Sequence, residues 1–110
     1  MAALLLVPAP GWAHAFPGHS NPRVGHTVEA SPPRVRIWFD GPIEPVFSTI
    51  RVEDSALQRI DEGDGHVDAR DSTLLEARLP PLAAGTYRVF WSVVARDGHR
   101  TEGNFRFRVK

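Results

Sequence analysis

The chain has 110 residues, with thirteen basic and thirteen acidic side chains that leave no formal net charge. That length holds a single core, and the balanced charge argues against a nucleic-acid binder, which carries a basic excess. Cysteine is absent, which excludes disulfides, thiolate zinc sites and a cysteine nucleophile, and no apolar run reaches the roughly 18 residues of a membrane-spanning helix.

The first segment reads as a targeting signal rather than as fold. Ala2 to Val7 is a short apolar run, Pro8, Pro10 and Gly11 interrupt any helix, and Ala13 and Ala15 flank His14. This is the pattern of an export signal with a small-residue cleavage site, so residues 1–13 are expected to be a signal peptide and 14–110 the mature domain. Cleavage after Ala13 leaves His14 with a free α-amine, and the product is expected to be exported.

The remainder reads as strands. In Arg34 to Phe39, Val35, Ile37 and Phe39 alternate with Arg34, Arg36 and Trp38, the period of a half-buried strand started by Pro32-Pro33 and stopped by Gly41-Pro42. Arg23 to Val28 predicts a short edge strand broken by Gly25. Thr49 to Glu53 places Ile50 and Val52 inward. Asp54 to Gly65 is polar and reads as a loop, and His66 to Arg70 is a weaker strand. Leu74 to Leu79 alternates again. Thr86 to Val94 is the strongest strand: Tyr87, Val89, Trp91 and Val93 share one face, while Phe90 and Val94 make the other partly apolar, which predicts a central position. Asn104 to Val109 turns Phe105, Phe107 and Val109 inward, with Arg106, Arg108 and Lys110 as a basic stripe guarding an edge. Ten prolines and nine glycines supply the turns. The prediction is an all-β domain of about seven strands, a small Greek-key β-sandwich or barrel, with Phe39, Phe47, Tyr87, Trp91, Phe105 and Phe107 as its core aromatics.

Chemistry must come from histidines, carboxylates and the N-terminus. Asp97 and His99 are two residues apart after the strongest strand, so in extended chain both side chains leave on one side, and Gly98 between them permits a turn. One carboxylate and one imidazole do not hold a metal tightly. His14 as first residue adds an α-amine and a ring nitrogen. Three nitrogens and one oxygen form a tetragonal set that favours Cu(II). The competing reading of the same spacing is an Asp-Gly turn with His99 merely exposed. His19, His26 and His66 read as exposed, and Asp61, Glu62, Asp64 and Asp68 as a solvated acidic loop without the ordered spacing of a calcium loop.

Several segments resemble the CopC family of periplasmic copper-binding proteins: His14-Ala15 after the cleavage point, Ser20-Asn21-Pro22 with Gly25, Pro32-Pro33 with the strand Val35–Phe39, and above all Leu82–His99, which follows the family's L-x-x-G-x-Y-x-V-x-W-x-V run into D-G-H. Gly103 and Phe105–Val109 match its closing strand. The resemblance implies a cupredoxin-like β-sandwich binding one Cu(II) per chain through His14, Asp97 and His99, in copper resistance, homeostasis or delivery, with a CopD-type inner-membrane copper protein as partner. A monomer is expected, with no catalytic residues. Some family members hold Cu(I) in a methionine-rich loop. Here the loop after Gly41 has no methionine, so that site is expected to be missing. Others place a glutamate soon after the second strand, where this chain has Asp40 and Gly41. Two other classes compete: a histidine-brace copper oxidase acting on polysaccharide, which needs an open copper position, and a metal-free Ig-like interaction module.

Overall fold

The computed structural model describes residues 15–110, and residues 1–14, including His14 and the expected signal, lie outside the described part. Eight strands form it: β1 (Pro17–Asn21), β2 (Thr27–Val28), β3 (Arg34–Phe39), β4 (Thr49–Glu53), β5 (His66–Val67), β6 (Leu74–Arg78), β7 (Gly85–Val94) and β8 (Arg100–Val109). They make a Greek-key sandwich of two four-stranded sheets, ordered β1-β3-β6-β5 and β2-β8-β7-β4. All pairs are antiparallel except β2 with β8, which run parallel.

The alternation read from the sequence explains the layers. In β3, Val35, Ile37 and Phe39 are buried and Arg34, Arg36 and Trp38 lie on the outer face. In β7, Tyr87, Val89 and Val93 face the other sheet and meet Phe105 and Phe107 of β8 and Ile50 and Val52 of β4. Each such fully buried aliphatic or aromatic side chain stabilises the fold by about 1.5–3 kcal/mol. Trp91 packs against this core with its ring edge-on to Phe39 at a centroid distance of 5.3 Å, and Tyr87 stacks on Phe107 at 5.6 Å. The Tyr87 hydroxyl donates to the Ala83 carbonyl at 2.6 Å, so its polar end is satisfied where the ring is buried.

Gly103 sits opposite Trp91 across the β7–β8 ladder. A Cβ on Gly103 would lie 2.7 Å from Cζ2 of the indole, so the ring lies over this glycine because no side chain occupies the place.

Three expectations are corrected. Phe47 is not a core aromatic. It is 59% exposed, because it lies in the loop from Gly41 to Ser48 and not on a strand. The basic stripe of β8 does not guard an edge: β8 lies between β7 and β2, and Arg108 N–H donates to the His26 carbonyl at 2.9 Å. There is an eighth strand, β1, whose sequence Pro-Gly-His-Ser-Asn has no strand-forming character of its own. It is imposed by pairing with β3 and by stacking of the His19 ring on Trp38 at 4.5 Å. Arg23 to Val28 and His66 to Arg70 shrink to the two-residue strands β2 and β5.

Candidate metal site

The hairpin joining the two longest strands carries the site. Strand β7 ends at Val94, and Ala95 exchanges hydrogen bonds with residues beyond the turn: Ala95 N–H donates to the His99 carbonyl and Gly98 N–H to the Ala95 carbonyl, both at 2.9 Å. Gly98 has φ of 92°, a left-handed conformation that a residue with a Cβ rarely adopts, and this closes the turn. Asp97 and His99 therefore do not leave an extended strand side by side, as the spacing suggested. The chain turns between them.

The turn nevertheless joins the two side chains. Asp97 Oδ1 accepts the His99 backbone N–H at 3.0 Å, and Asp97 Oδ2 lies 2.7 Å from His99 Nδ1. The second contact is a hydrogen bond in the tautomer that carries its proton on Nδ1. A carboxylate on one ring nitrogen fixes the ring's orientation and raises the basicity of the other, the arrangement that commonly supports a histidine metal ligand. Both groups reach solvent, with side-chain exposures of 61% for His99 and 35% for Asp97. The competing reading was half right: Asp97-Gly98 is a turn, but His99 is held by Asp97.

Neighbouring segments brace the hairpin. Ile43 forms a bridge with Ala95, Glu44 N–H donates to the Val94 carbonyl at 2.7 Å, and the buried Ser48 hydroxyl accepts from Val94 N–H at 3.3 Å. Arg100 donates from Nη1 to the Ser92 hydroxyl at 2.6 Å.

The start of the described chain comes to the same end of the sandwich. Ala15 is 1% exposed and belongs to the core, and its carbonyl accepts from the Thr101 hydroxyl at 2.6 Å. Phe16 N–H donates to Asp40 Oδ1 at 2.9 Å, and Asp40 N–H donates to the Phe16 carbonyl at 2.8 Å. Asp40, noted from sequence only as a carboxylate in place of a family glutamate, thus binds backbone. Thr101 carried no signal beyond strand parity with Phe105.

Among the described residues, no group of three or more His, Cys, Asp or Glu side chains is placed to hold a metal ion. Asp97 and His99 supply two side-chain donors. Two other histidines are engaged elsewhere. His19 stacks on Trp38, and His66 Nδ1 contacts the Asp64 carbonyl at 2.7 Å with its Nε2 3.4 Å from Glu76. The acidic loop is structural. Asp61 accepts from Arg59, from Val52 N–H at 2.8 Å and from Gly63 N–H at 3.1 Å. Burial pushes the Asp61 carboxyl up, but the Arg59 hydrogen bond and these two backbone donors outweigh it and hold it below the usual carboxylate range. No helix among the described residues is long and apolar enough to cross a membrane.

The fold and the turn define a small Greek-key sandwich that carries an Asp-Gly-His hairpin at one end. Residues 18–110 match the CopC domain, and the chain belongs to the CopC family. It is similar to protein YobA of Escherichia coli strain K12, 33% identical over 100 residues that are 90% of this chain and 81% of that one. It is also similar to copper resistance protein C of Pseudomonas syringae pv. tomato, 30% identical over 115 residues, 99% of this chain and 90% of that one. Among solved structures, CopC from Methylosinus trichosporium OB3b superposes with a TM-score of 0.82 at 35% identity, covering 88% of this chain and 94% of that one. PcoC, a methionine-rich copper resistance protein from Escherichia coli, gives 0.78 at 28% identity, covering 89% and 100%.

Proposed function

We propose that this chain is a periplasmic Cu(II)-binding protein that carries or sequesters copper and passes it to a membrane partner of the CopD type. The reading takes residues 1–13 as the removed signal and 14–110 as the copper-binding domain. One Cu(II) is held by the α-amine and ring nitrogen of His14, by the His99 imidazole and by the Asp97 carboxylate. Nitrogen and carboxylate donors in a tetragonal set suit Cu(II). The metal is cargo, and no residue is assigned a catalytic role.

The observation that carries the reading is the Asp97–His99 pair, 2.7 Å apart, two residues before the Thr101 hydroxyl that holds the Ala15 carbonyl. Ala15 is bonded to His14, and successive Cα atoms lie about 3.8 Å apart. Ala15, the residue bonded to His14, is therefore tied to the strand that begins beside His99.

A chain beginning at His14 keeps every described strand and core residue. Native mass spectrometry and chelator competition on that chain are expected to show one Cu(II). His99→Ala, or one extra residue before His14, weakens it strongly, whereas His26→Ala and His66→Ala leave it unchanged. Sequencing of the exported product is expected to begin His-Ala-Phe-Pro. Equal Cu(II) affinity in the N-terminally extended chain overturns the reading.

A further inference from the structure

We infer that Thr101 and Asp40 are positioning residues for the N-terminal copper ligand: they dock the Ala15–Phe16 peptide between the two sheets and so reduce the ordering that copper binding must impose on the residue before it. This rests on the Cu(II) reading above and adds to it two residues that do not touch the metal.

The geometry is specific. The β1–β3 ladder shifts register between Pro17 and His19. Beyond that shift, Asp40 N–H still donates to the Phe16 carbonyl at 2.8 Å, but the return bond is made by the Asp40 side chain, whose Oδ1 accepts Phe16 N–H at 2.9 Å. A carboxylate thus takes the place of a main-chain carbonyl and extends the pairing by one residue towards the N-terminus. On the other side the Thr101 hydroxyl, in the first turn-proximal residues of β8, donates to the Ala15 carbonyl at 2.6 Å. The Ala15 methyl is buried in the core. The Thr101 and Asp40 side chains thus hold the carbonyl and the N–H of the one Ala15–Phe16 peptide unit from opposite sheets, beside the buried Ala15 methyl. Asp40 follows the end of β3, whereas Thr101 stands two residues after His99.

Chelation by an N-terminal residue requires that residue to be brought to the two donors on the turn. If the following peptide is already docked, little ordering remains when copper binds. If it is not, that ordering cost reduces affinity. Each bond can be removed with little change of shape. Thr101→Val replaces the hydroxyl by a methyl, and Asp40→Ala removes the acceptor; Thr101→Ser and Asp40→Asn keep the bonding atoms.

The test uses the chain beginning at His14. Thr101→Val and Asp40→Ala are each expected to weaken Cu(II) about ten-fold, the effect of one hydrogen bond, while Thr101→Ser and Asp40→Asn stay within about two-fold of wild type. In the metal-free protein, hydrogen exchange of the Phe16 amide is expected to quicken in Thr101→Val and Asp40→Ala, a readout that does not involve copper. In a chain with one extra residue before His14, Thr101→Val should leave the residual Cu(II) affinity unchanged, because there is no terminal chelate left to position. Thr101→Val binding Cu(II) as tightly as wild type, or weakening the extended chain by the same factor, overturns the positioning role while leaving the copper site intact. Failure of the wild-type chain to bind Cu(II) overturns the copper reading and this role together.

Discussion

Substituting Asp97 by Asn separates the two tasks assigned to its carboxylate. In the structure Asp97 accepts the His99 N–H through Oδ1 at 3.0 Å and engages the His99 ring through Oδ2 at 2.7 Å. Asn has a single carbonyl oxygen and keeps only one of these contacts; its amide nitrogen in the other position opposes a donor on Nδ1. It also removes the anionic oxygen offered to the metal. Loss of a carboxylate that orients a histidine ligand typically costs about 10–100-fold in metal affinity, or about 1.4–2.7 kcal/mol. His99→Ala deletes a nitrogen donor outright and should cost more than about 100-fold. Chelator competition for Cu(II) at fixed pH gives both numbers, and ring nitrogen chemical shifts of His99 report whether the Nδ1 proton is lost in Asp97→Asn. Two results would refute the reasoning. A change of less than about two-fold in Asp97→Asn would mean that the pair is an ordinary turn contact. A loss as large as that of His99→Ala would mean that Asp97 is the principal ligand.

Gly103→Ala places a Cβ 2.7 Å from Trp91 Cζ2 and 3.0 Å from Cε2, so the indole must move. The expected cost is about 1–2 kcal/mol, a fall in Tm of about 4–16 °C with a red-shifted tryptophan emission, and unchanged Tm and emission would contradict it. Asp61 has its carboxyl held below the usual carboxylate range, so its ionised form stabilises the fold fully above about pH 4, and that contribution fades as pH falls through the ordinary carboxylate pKa towards the folded value. Asp61→Asn is expected to lower stability at pH 7 by about 1–3 kcal/mol and to flatten the acid limb of a denaturation series. Cu(I) is expected to bind far more weakly than Cu(II), because Met1 is the only methionine and there is no cysteine; comparable affinities in paired chelator titrations would reveal a soft site elsewhere.

The sheets were legible because their information is local. Alternation in Val35–Phe39, Ile50–Val52, Leu74–Leu79 and Tyr87–Val93 shows which face is buried, and burial bears this out. Strand β1 was not legible, since Pro17–Asn21 gets its conformation from β3 and from Trp38, both distant in sequence. Phe47 misled for the opposite reason: an aromatic residue carries a strong expectation of burial, yet its loop keeps it at the surface. At the candidate site, Asp97 and His99 were singled out because their two-residue spacing is visible in the sequence. Thr101 and Asp40 were not, because their roles exist only once Ala15 and Phe16 arrive from 86 and 24 residues away. Even the local pair was recognised through the wrong geometry, since an extended chain and a glycine turn give the same spacing.

The placement of the turn explains why such a site can be both exposed and ordered. Strands β7 and β8 are ten residues each and pair along their whole length, from Gly85–Val109 to Val94–Arg100. A turn closing so long a ladder inherits its rigidity, although its own side chains face water. The beginning of the described chain is anchored differently, by a methyl in the core, by one bond to each sheet's end and by the return bond from Asp40 N–H. Donors on the hairpin and a donor preceding Ala15 would thus be referred to the same two-sheet core through separate supports. On the proposed function, preorganisation of this kind would let copper bind at the surface, within reach of a partner, without the loss of affinity that a mobile surface site would carry.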